Sequence, residues 1–399
     1  MSPARWAAFQ VLEKLATSDA HSDDLLHGPL LAGLSQQDTA LAHTLVMGTL
    51  RWQLSLEDRL LTLLTRPDSH LPSQVENALR LGAFQLLHLD RIPAHAALSE
   101  SVELVRAAGH PGAAGLVNAI LRKLSVNTNP ARKPLVESAD GLAKRLGHPQ
   151  WLVRRWVKAY GQSAAEAICT YDLTEPTGGE LFADATAFRM DDGSRLVAEL
   201  AAAAKPDAAT VWDTCAAPGG KTSVLAARLP EAKVLATDVS PKRLHRMAQR
   251  FEMELPGRIR TLGVDAGRLS EEEGPFDLIL CDVPCSGTGT MARNPEIKVR
   301  LEPEDLERQT KRQLEIAQAA LARLAPGGRL VYSTCSLEPE ENEDIVRSLK
   351  GAKVVPVAEA LDRLHLADTA PLVRGEFLRT LPGVQFAGDG FFAAILERA

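Results

Sequence analysis

From about residue 209 the apolar pattern of this chain changes period, and that change limits the fold more than any other feature. Short apolar runs at 210–215, 233–238, 259–265, 276–282 and 328–335 alternate with helical stretches at 220–229, 240–253, 303–324 and 339–350. Parallel strands need a crossover of a dozen residues or more, and an intervening helix supplies it. Strict alternation therefore predicts a doubly wound, mostly parallel α/β sheet. Upstream, residues 4–125 keep a helical period throughout. Trp6, Phe9, Leu12 and Leu15 share one face, Ser73 with Glu76 three residues on reads as a capping box, and Gly109 reads as a helix stop. The chain is thus predicted as an all-α bundle over 1–126, a linking region over 127–208, and an α/β domain over 209–399. The polar stretch 125–134, with two prolines, is the linker candidate, and 151–160 is a basic, aromatic helix that suits either packing or an RNA-facing role.

Composition narrows the function classes. The 399 residues carry a net charge of −6 with 24% charged residues, so any nucleic acid must be met by a local basic surface. No apolar run reaches the length needed to span a bilayer, and the N-terminus lacks the layout of a signal peptide. The five cysteines are irregularly spaced, which argues against a disulfide framework and for thiols kept free in a reducing, cytoplasmic setting. No metal and no membrane are expected, and a monomer is the favoured state.

Three motifs carry the chemistry. "DTCAAPGGKT" at 213–222 joins the first strand to a helix, and Gly219 and Gly220 let backbone approach a ligand. It is neither a P-loop nor a dinucleotide fingerprint. Asp238, Asp265 and Asp282 then close the next three strands. One such acid is ordinarily a helix cap. Three in register suit S-adenosylmethionine, which offers hydroxyls, amines and no phosphate. "DVPCSGTG" at 282–289 and "YSTCS" at 332–336 place Cys285 and Cys335 after strands whose ends face the ligand side of such a sheet. Either cysteine alone reads equally as a small buried thiol; two thiols facing one cleft suggest covalent catalysis.

"DTCAAPGGKT", "FDLILCDVPCSGTGTMARNPEIK", "APGGRLVYSTCSLEPEENE" and the tail "RTLPGVQFAGDGFFAAILER" together resemble the NOL/NOP/Sun family of RNA cytosine-5 methyltransferases. The helical part, through "ARWAAFQVLEKL", "RLGAFQLLHLDRIPAHAALSESVEL" and "GLVNAILRKL", resembles the NusB-like RNA-binding fold. The pairing resembles bacterial members that act on 16S ribosomal RNA. The resemblance implies a NusB-like helical domain followed by a Rossmann-like methyltransferase domain, with S-adenosylmethionine as cofactor and RNA, free or in a pre-ribosomal particle, as partner. It implies Cys335 as the nucleophile that adds to cytosine C6 and Cys285 as the group that helps release the product. It assigns the cofactor to Cys215, Ala216, Ala217, Pro218, Gly219, Gly220 and Lys221, with Asp238, Asp265 and Asp282 as further contacts. Family members carry a longer segment between the basic helix and the cofactor loop than 161–208 here.

Further expectations concern the surroundings of these residues. Cys335 precedes a helix opening at Pro339, with Glu338, Glu340 and Glu341 turned to solvent and Lys221 nearby. Arg293, Lys298, Arg300, Arg308, Lys311 and Arg312 are the expected RNA contacts. Rival readings are a non-catalytic NusB-like assembly factor and a methyltransferase acting on tRNA or another nucleic acid.

Overall fold

The computed structural model describes residues 1–65, 70–126, 137–176, 181–182 and 190–399. They form two compact units, Met1–Glu175 with Met291–Arg300, and Pro176–Thr290 with Leu301–Ala399. Most of the linker read at 125–134, and much of the short segment before residue 190, lie outside the described residues.

The first unit is helical: α1 (Pro3–Thr17), α2 (Ser22–Leu26), α3 (Gln36–Leu61), α4 (Ser73–His88), α5 (Ala94–Ala107), α6 (Ala114–Ser125), α7 (Ala139–Arg145), α8 (Gln150–Tyr160) and α9 (Gln162–Tyr171). In α1 the Ser2 side chain caps the Arg5 amide, and Ala4, Ala7, Ala8, Val11, Leu12 and Leu15 are buried at steps of three and four. Gly48 on α3 is required by packing, since a Cβ there would meet the Phe84 ring at 1.9 Å. Ser73 differs from expectation. Pro72 holds the cap position, Ser73 is the first helical residue, and its hydroxyl donates to Glu13 on α1 at 3.0 Å.

The second unit contains α10 (Asp192–Ala204), β1 (Thr210–Asp213), α11 (Gly220–Arg228), β2 (Lys233–Asp238), α12 (Pro241–Glu254), β3 (Ile259–Gly263) and β4 (Phe276–Asp282). The chain then leaves it for Met291–Arg300, which ends in the one-turn α13 (Ile297–Arg300) and belongs to the helical unit. It continues with α14 (Pro303–Ala322), β5 (Leu324–Thr334), α15 (Glu343–Ser348), β6 (Ala352–Val355), α16 (Ala358–Asp362), β7 (Val373–Arg374), β8 (Phe377–Arg379) and β9 (Phe392–Arg398). The sheet order is β3-β2-β1-β4-β5-β9-β8-β7, with β6 also on β9. The pairs from β3 to β5 are parallel, while β9 runs antiparallel to β5, β6 and β8. The mostly parallel half is the predicted one. The antiparallel strands after residue 350 are short or adjoin loop-rich sequence, and periodicity did not reveal them. Strand order reverses between β1 and β4, which is where an open α/β sheet forms its ligand crevice.

Within the helical unit, the excursion 291–300 is held by buried polar contacts. Glu296 accepts from the Ser22 amide at 3.0 Å and from its hydroxyl at 3.0 and 3.1 Å. Arg51 Nε donates to the Ala292 carbonyl at 3.0 Å, and Lys298 Nζ donates to the Arg51 carbonyl at 3.2 Å. Burial pushes the Lys298 ammonium down to about 8. Arg300 donates to the carbonyls of Leu15, Ser18 and Ala20.

Glu296→Ala strips the acceptor from a buried amide and hydroxyl, so it should destabilise the protein by about 3 kcal/mol. Glu307→Ala, which breaks only the exposed pair with Lys311, should cost under about 0.5 kcal/mol. Urea unfolding of both variants checks this; equal losses would contradict the anchoring role of Glu296.

Candidate active site

The loop from Asp213 to Gly220 is shaped by the neighbouring strand. The Ala216 amide donates to the Thr237 carbonyl at 2.8 Å, and Gly219 N–H donates to the Ala216 carbonyl at 2.7 Å. Gly219 sits at φ +99°, a left-handed conformation that favours glycine, and a Cβ there would meet Met247 Cγ at 2.7 Å. Asp238 at the end of β2 accepts from the Ala217 amide at 3.2 Å and from the Ser240 amide at 2.7 Å, so it braces the loop.

The loops after β4 and β5 meet. Cys285 Sγ and Cys335 Sγ lie 3.4 Å apart. The Gly289 amide donates to the Cys335 carbonyl at 2.9 Å, and the Leu337 amide donates to Thr288 Oγ1 at 2.8 Å. The hydroxyls of Ser286 and Ser336, each next to one of the cysteines, are 3.1 Å apart. Beneath them Glu341 is fully buried. Its carboxylate accepts from the Ser286 amide and from Gln313 Nε2, both at 2.9 Å, and from the Ser286 hydroxyl. Sequence reasoning turned Glu338, Glu340 and Glu341 to solvent, but Glu338 and Glu341 are buried. The helix expected from Pro339 is a three-residue 3-10 turn, Pro339–Glu341, followed by the short α15. The acid run hides two buried carboxylates, and nothing in its spacing distinguishes them.

Charges converge on the same place. Lys221 Nζ pairs with Asp282 at 2.7 Å, and Asp282 also accepts from the Ser333 hydroxyl at 2.8 Å. Burial pulls the Lys221 ammonium down, but Asp282, with Cys335 and Asp213 beyond it, outweighs burial and holds it above its ordinary value. The hydrogen bond with Cys335 raises the Cys285 thiol well above the usual range, and burial and Glu341 add to this. The Cys285 thiol is therefore poorly disposed to give up its proton. Burial likewise holds Cys215 up at about 12 and raises Cys281 and Cys169. Thiolate chemistry is thereby disfavoured at these three sites. Asp213, not singled out from sequence, closes β1 as Asp238 closes β2, so the strand-end rule reaches it. Burial pushes its carboxyl up to about 7, against a hydrogen bond from Thr222 at 2.7 Å.

A cavity of about 160 Å³ is lined by Asp213, Cys215, Ala216, Ala217, Pro218, Gly220, Lys221 and Asp282, with Met190 and Ser194. Asp238 reaches it through the Ala217 amide. Asp265 does not line it. It caps its own turn by accepting from Gly267 N–H at 3.0 Å, and it faces a more open groove of about 700 Å³ beside α14. S-adenosylmethionine fits the donor set of the smaller cavity. Carboxylates suit its hydroxyls and its positive charge, and the glycine turn admits close backbone contact. Among the described residues no cluster of His, Cys, Asp and Glu forms a metal site, and no helix is long and apolar enough to cross a membrane.

The basic residues expected to meet RNA are mostly occupied. Lys298 and Arg300 are spent on carbonyls inside the helical unit. Arg308 pairs with Asp305 at 2.7 Å and Lys311 with Glu307 at 2.8 Å.

Comparison with known proteins gives a consistent picture. Residues 201–397 match the family model described as 16S rRNA methyltransferase RsmB/F, and residues 2–125 match the NusB family. The chain is 30% identical to the probable ribosomal RNA small subunit methyltransferase B of Bacillus subtilis (strain 168), over 98% of each chain. It is 31% identical to ribosomal RNA small subunit methyltransferase B of Klebsiella pneumoniae, over 98% of this chain and 97% of that one. A solved structure titled PH0851 shares the fold, with a TM-score of 0.76 and 20% identity over 100% of this chain and 99% of that one.

The Asp213 carboxyl is held near 7 in the fold against roughly 3.9 in an unfolded chain. The unfolded state loses its proton first, so this group erodes stability as pH rises from about 4 to about 7, with no further loss above. Asp213→Asn should therefore gain stability relative to the parent between pH 5 and pH 8. Urea unfolding at the two pH values tests it, and a constant or narrowing gap would contradict the assignment.

Proposed function

Because the chain belongs to the 16S rRNA methyltransferase RsmB/F family, whose members depend on S-adenosylmethionine, we propose that it methylates C5 of a cytosine in small-subunit ribosomal RNA through a covalent Cys335–C6 adduct. The observation that carries this reading is the pair of sulfurs 3.4 Å apart, beside the Lys221–Asp282 pair and the cofactor loop. The proposed catalytic groups are Cys335 and Cys285. The proposed cofactor contacts are Cys215 to Lys221, Asp238 and Asp282, with Asp265 further along the same sheet edge. The proposed setting is the cytoplasm, with the chain acting as a monomer.

Cytosine C5 is a weak nucleophile, and a thiolate adding at C6 makes it a stronger one. In the proposed sequence the Cys335 sulfur forms the S–C6 bond, and the C5–C6 π pair becomes available at C5. Bound in the loop, S-adenosylmethionine supplies an electrophilic methyl group on a sulfonium. The C5 proton then passes to a base, its bonding pair restores the C5–C6 double bond, and the S–C6 pair returns to Cys335. Cys285, kept protonated, donates to the departing sulfur and stabilises it as a leaving thiolate. The Lys221 ammonium favours negative charge on Cys335 in both directions. Glu341 holds the Cys285 loop in place through Ser286. A base buried in a duplex cannot present C6 to a sulfur in a cleft, so the target is a loop nucleotide or one turned out of its stack.

Cys335→Ala should lose methyl transfer to ribosomal RNA by at least about 10³-fold and form no adduct. Cys285→Ala should instead accumulate an RNA-linked species that resists denaturing electrophoresis. Bisulfite sequencing of the product locates 5-methylcytosine. Methylation by Cys335→Ala, or an adduct in Cys335→Ala rather than in Cys285→Ala, would reverse the assigned roles.

A further inference from the structure

Four of the six basic groups read from sequence as RNA contacts, Lys298, Arg300, Arg308 and Lys311, are tied to carbonyls or acids, yet a polyanion must be met by available cations on a chain of net charge −6. α12 supplies them. Residues 239–251 contain Lys242, Arg243, His245, Arg246 and Arg250 and no carboxylate. Lys242, Arg243, His245 and Arg246 are exposed, while Leu244, Met247 and Phe251 bury the opposite face. Arg243 touches Asp238 at 3.4 Å, and Arg250 leans on the Phe251 ring and toward the Pro218 carbonyl at 3.5 Å. Lys242, His245 and Arg246 have no hydrogen bond or ion pair among the described residues.

Several other exposed helices pair their cations instead. Arg106 with Glu103, Arg347 with Asp344, Arg363 with Glu359, and Lys311 with Glu307 are all matched at i,i+3 or i,i+4. On α12 Arg250 has such a partner in Glu254 at 3.8 Å, but the same spacing sets Lys242 against Arg246, like charges that repel and weaken the helix. An anion laid along the face relieves that repulsion. The helix also packs against the cofactor loop, where a Cβ on Gly219 would meet Met247 and Arg250.

We propose that the exposed face of α12, centred on Lys242 and Arg246, is a docking surface for the phosphate backbone of the substrate RNA. The inference rests on the reading that RNA is the substrate. The contact is electrostatic and carries no sequence information, so it sets affinity and register rather than choice of base.

The test compares the full chain with the double variant Lys242→Gln/Arg246→Gln and with the control Arg308→Gln/Lys311→Gln. Each is titrated with 16S ribosomal RNA transcript at several salt concentrations, and S-adenosylmethionine binding and thermal stability are measured alongside. Two lost phosphate contacts should lower the magnitude of the log K against log salt slope by about 1.4 and weaken binding on the order of tenfold at low salt. Cofactor affinity should be unchanged, stability unchanged or raised, and the control slope should equal the parent's. An unchanged slope in the α12 variant, with a parent that binds and methylates the RNA, would overturn the docking surface alone. Loss of cofactor affinity in step with RNA affinity would overturn it as well, by assigning α12 to the cofactor. A parent that neither binds nor methylates the transcript, nor the assembled small subunit, would instead overturn the RNA reading itself.

Discussion

The parallel pairing of β4 with β5 is the constraint on which the site depends. Its register sets Asp282 opposite Ser333. Three residues past the first and two past the second, the chain reaches Cys285 and Cys335. No helix or linker needs to aim the two sulfurs, because the ladder ends level and the two loops must run side by side. The polar staples then fix their separation. The Gly289 and Leu337 amides tie one loop to the other, and the buried Glu341 gathers Ser286 and Gln313 from below. Gly289 has no room for a side chain there, since a Cβ would meet the Gly390 carbonyl oxygen at 2.2 Å.

That geometry makes two identical side chains unequal. The sulfurs share one hydrogen bond, and that bond, with burial and Glu341, raises the Cys285 thiol well above its usual range. Lys221, paired with Asp282, brings positive charge to the Cys335 side. Chemical asymmetry thus arises from charges on β1–α11, β4 and the turn after β5, and not from histidine. A fully buried carboxylate that only holds a loop is a costly element, and its hydrogen bonds from Ser286 and Gln313 are what offset the desolvation.

Much of this was legible in the sequence because its causes are local. The period change near residue 209, the glycine turn at 219–220 and the acids closing β2 and β4 follow from strand and turn chemistry within a few residues. The rest depends on distant partners. Glu341 looks like one acid among several until Ser286 and Gln313 come to it. Lys298 and Arg300 look like an RNA-facing surface until the excursion 291–300 is built into the helical unit, which buries Lys298 and ties Arg300 to backbone carbonyls. β6 to β9 escaped notice because antiparallel pairing at the end of a parallel sheet leaves no alternating strand–helix rhythm to read. Asp213 falls under the same strand-end rule as Asp238 and Asp282.

The claim that Cys335 is the sulfur that bonds to the base is open to a direct measurement. RNA carrying 5-fluorocytidine has no C5 proton to lose, so a methylated adduct cannot be released and remains on the protein. After digestion with trypsin and nuclease, mass spectrometry should find the fluorinated nucleotide, with its added methyl group, on the peptide Leu330–Arg347, which contains Cys335. The same nucleotide on Leu269–Arg293, the peptide that contains Cys285, would contradict the account.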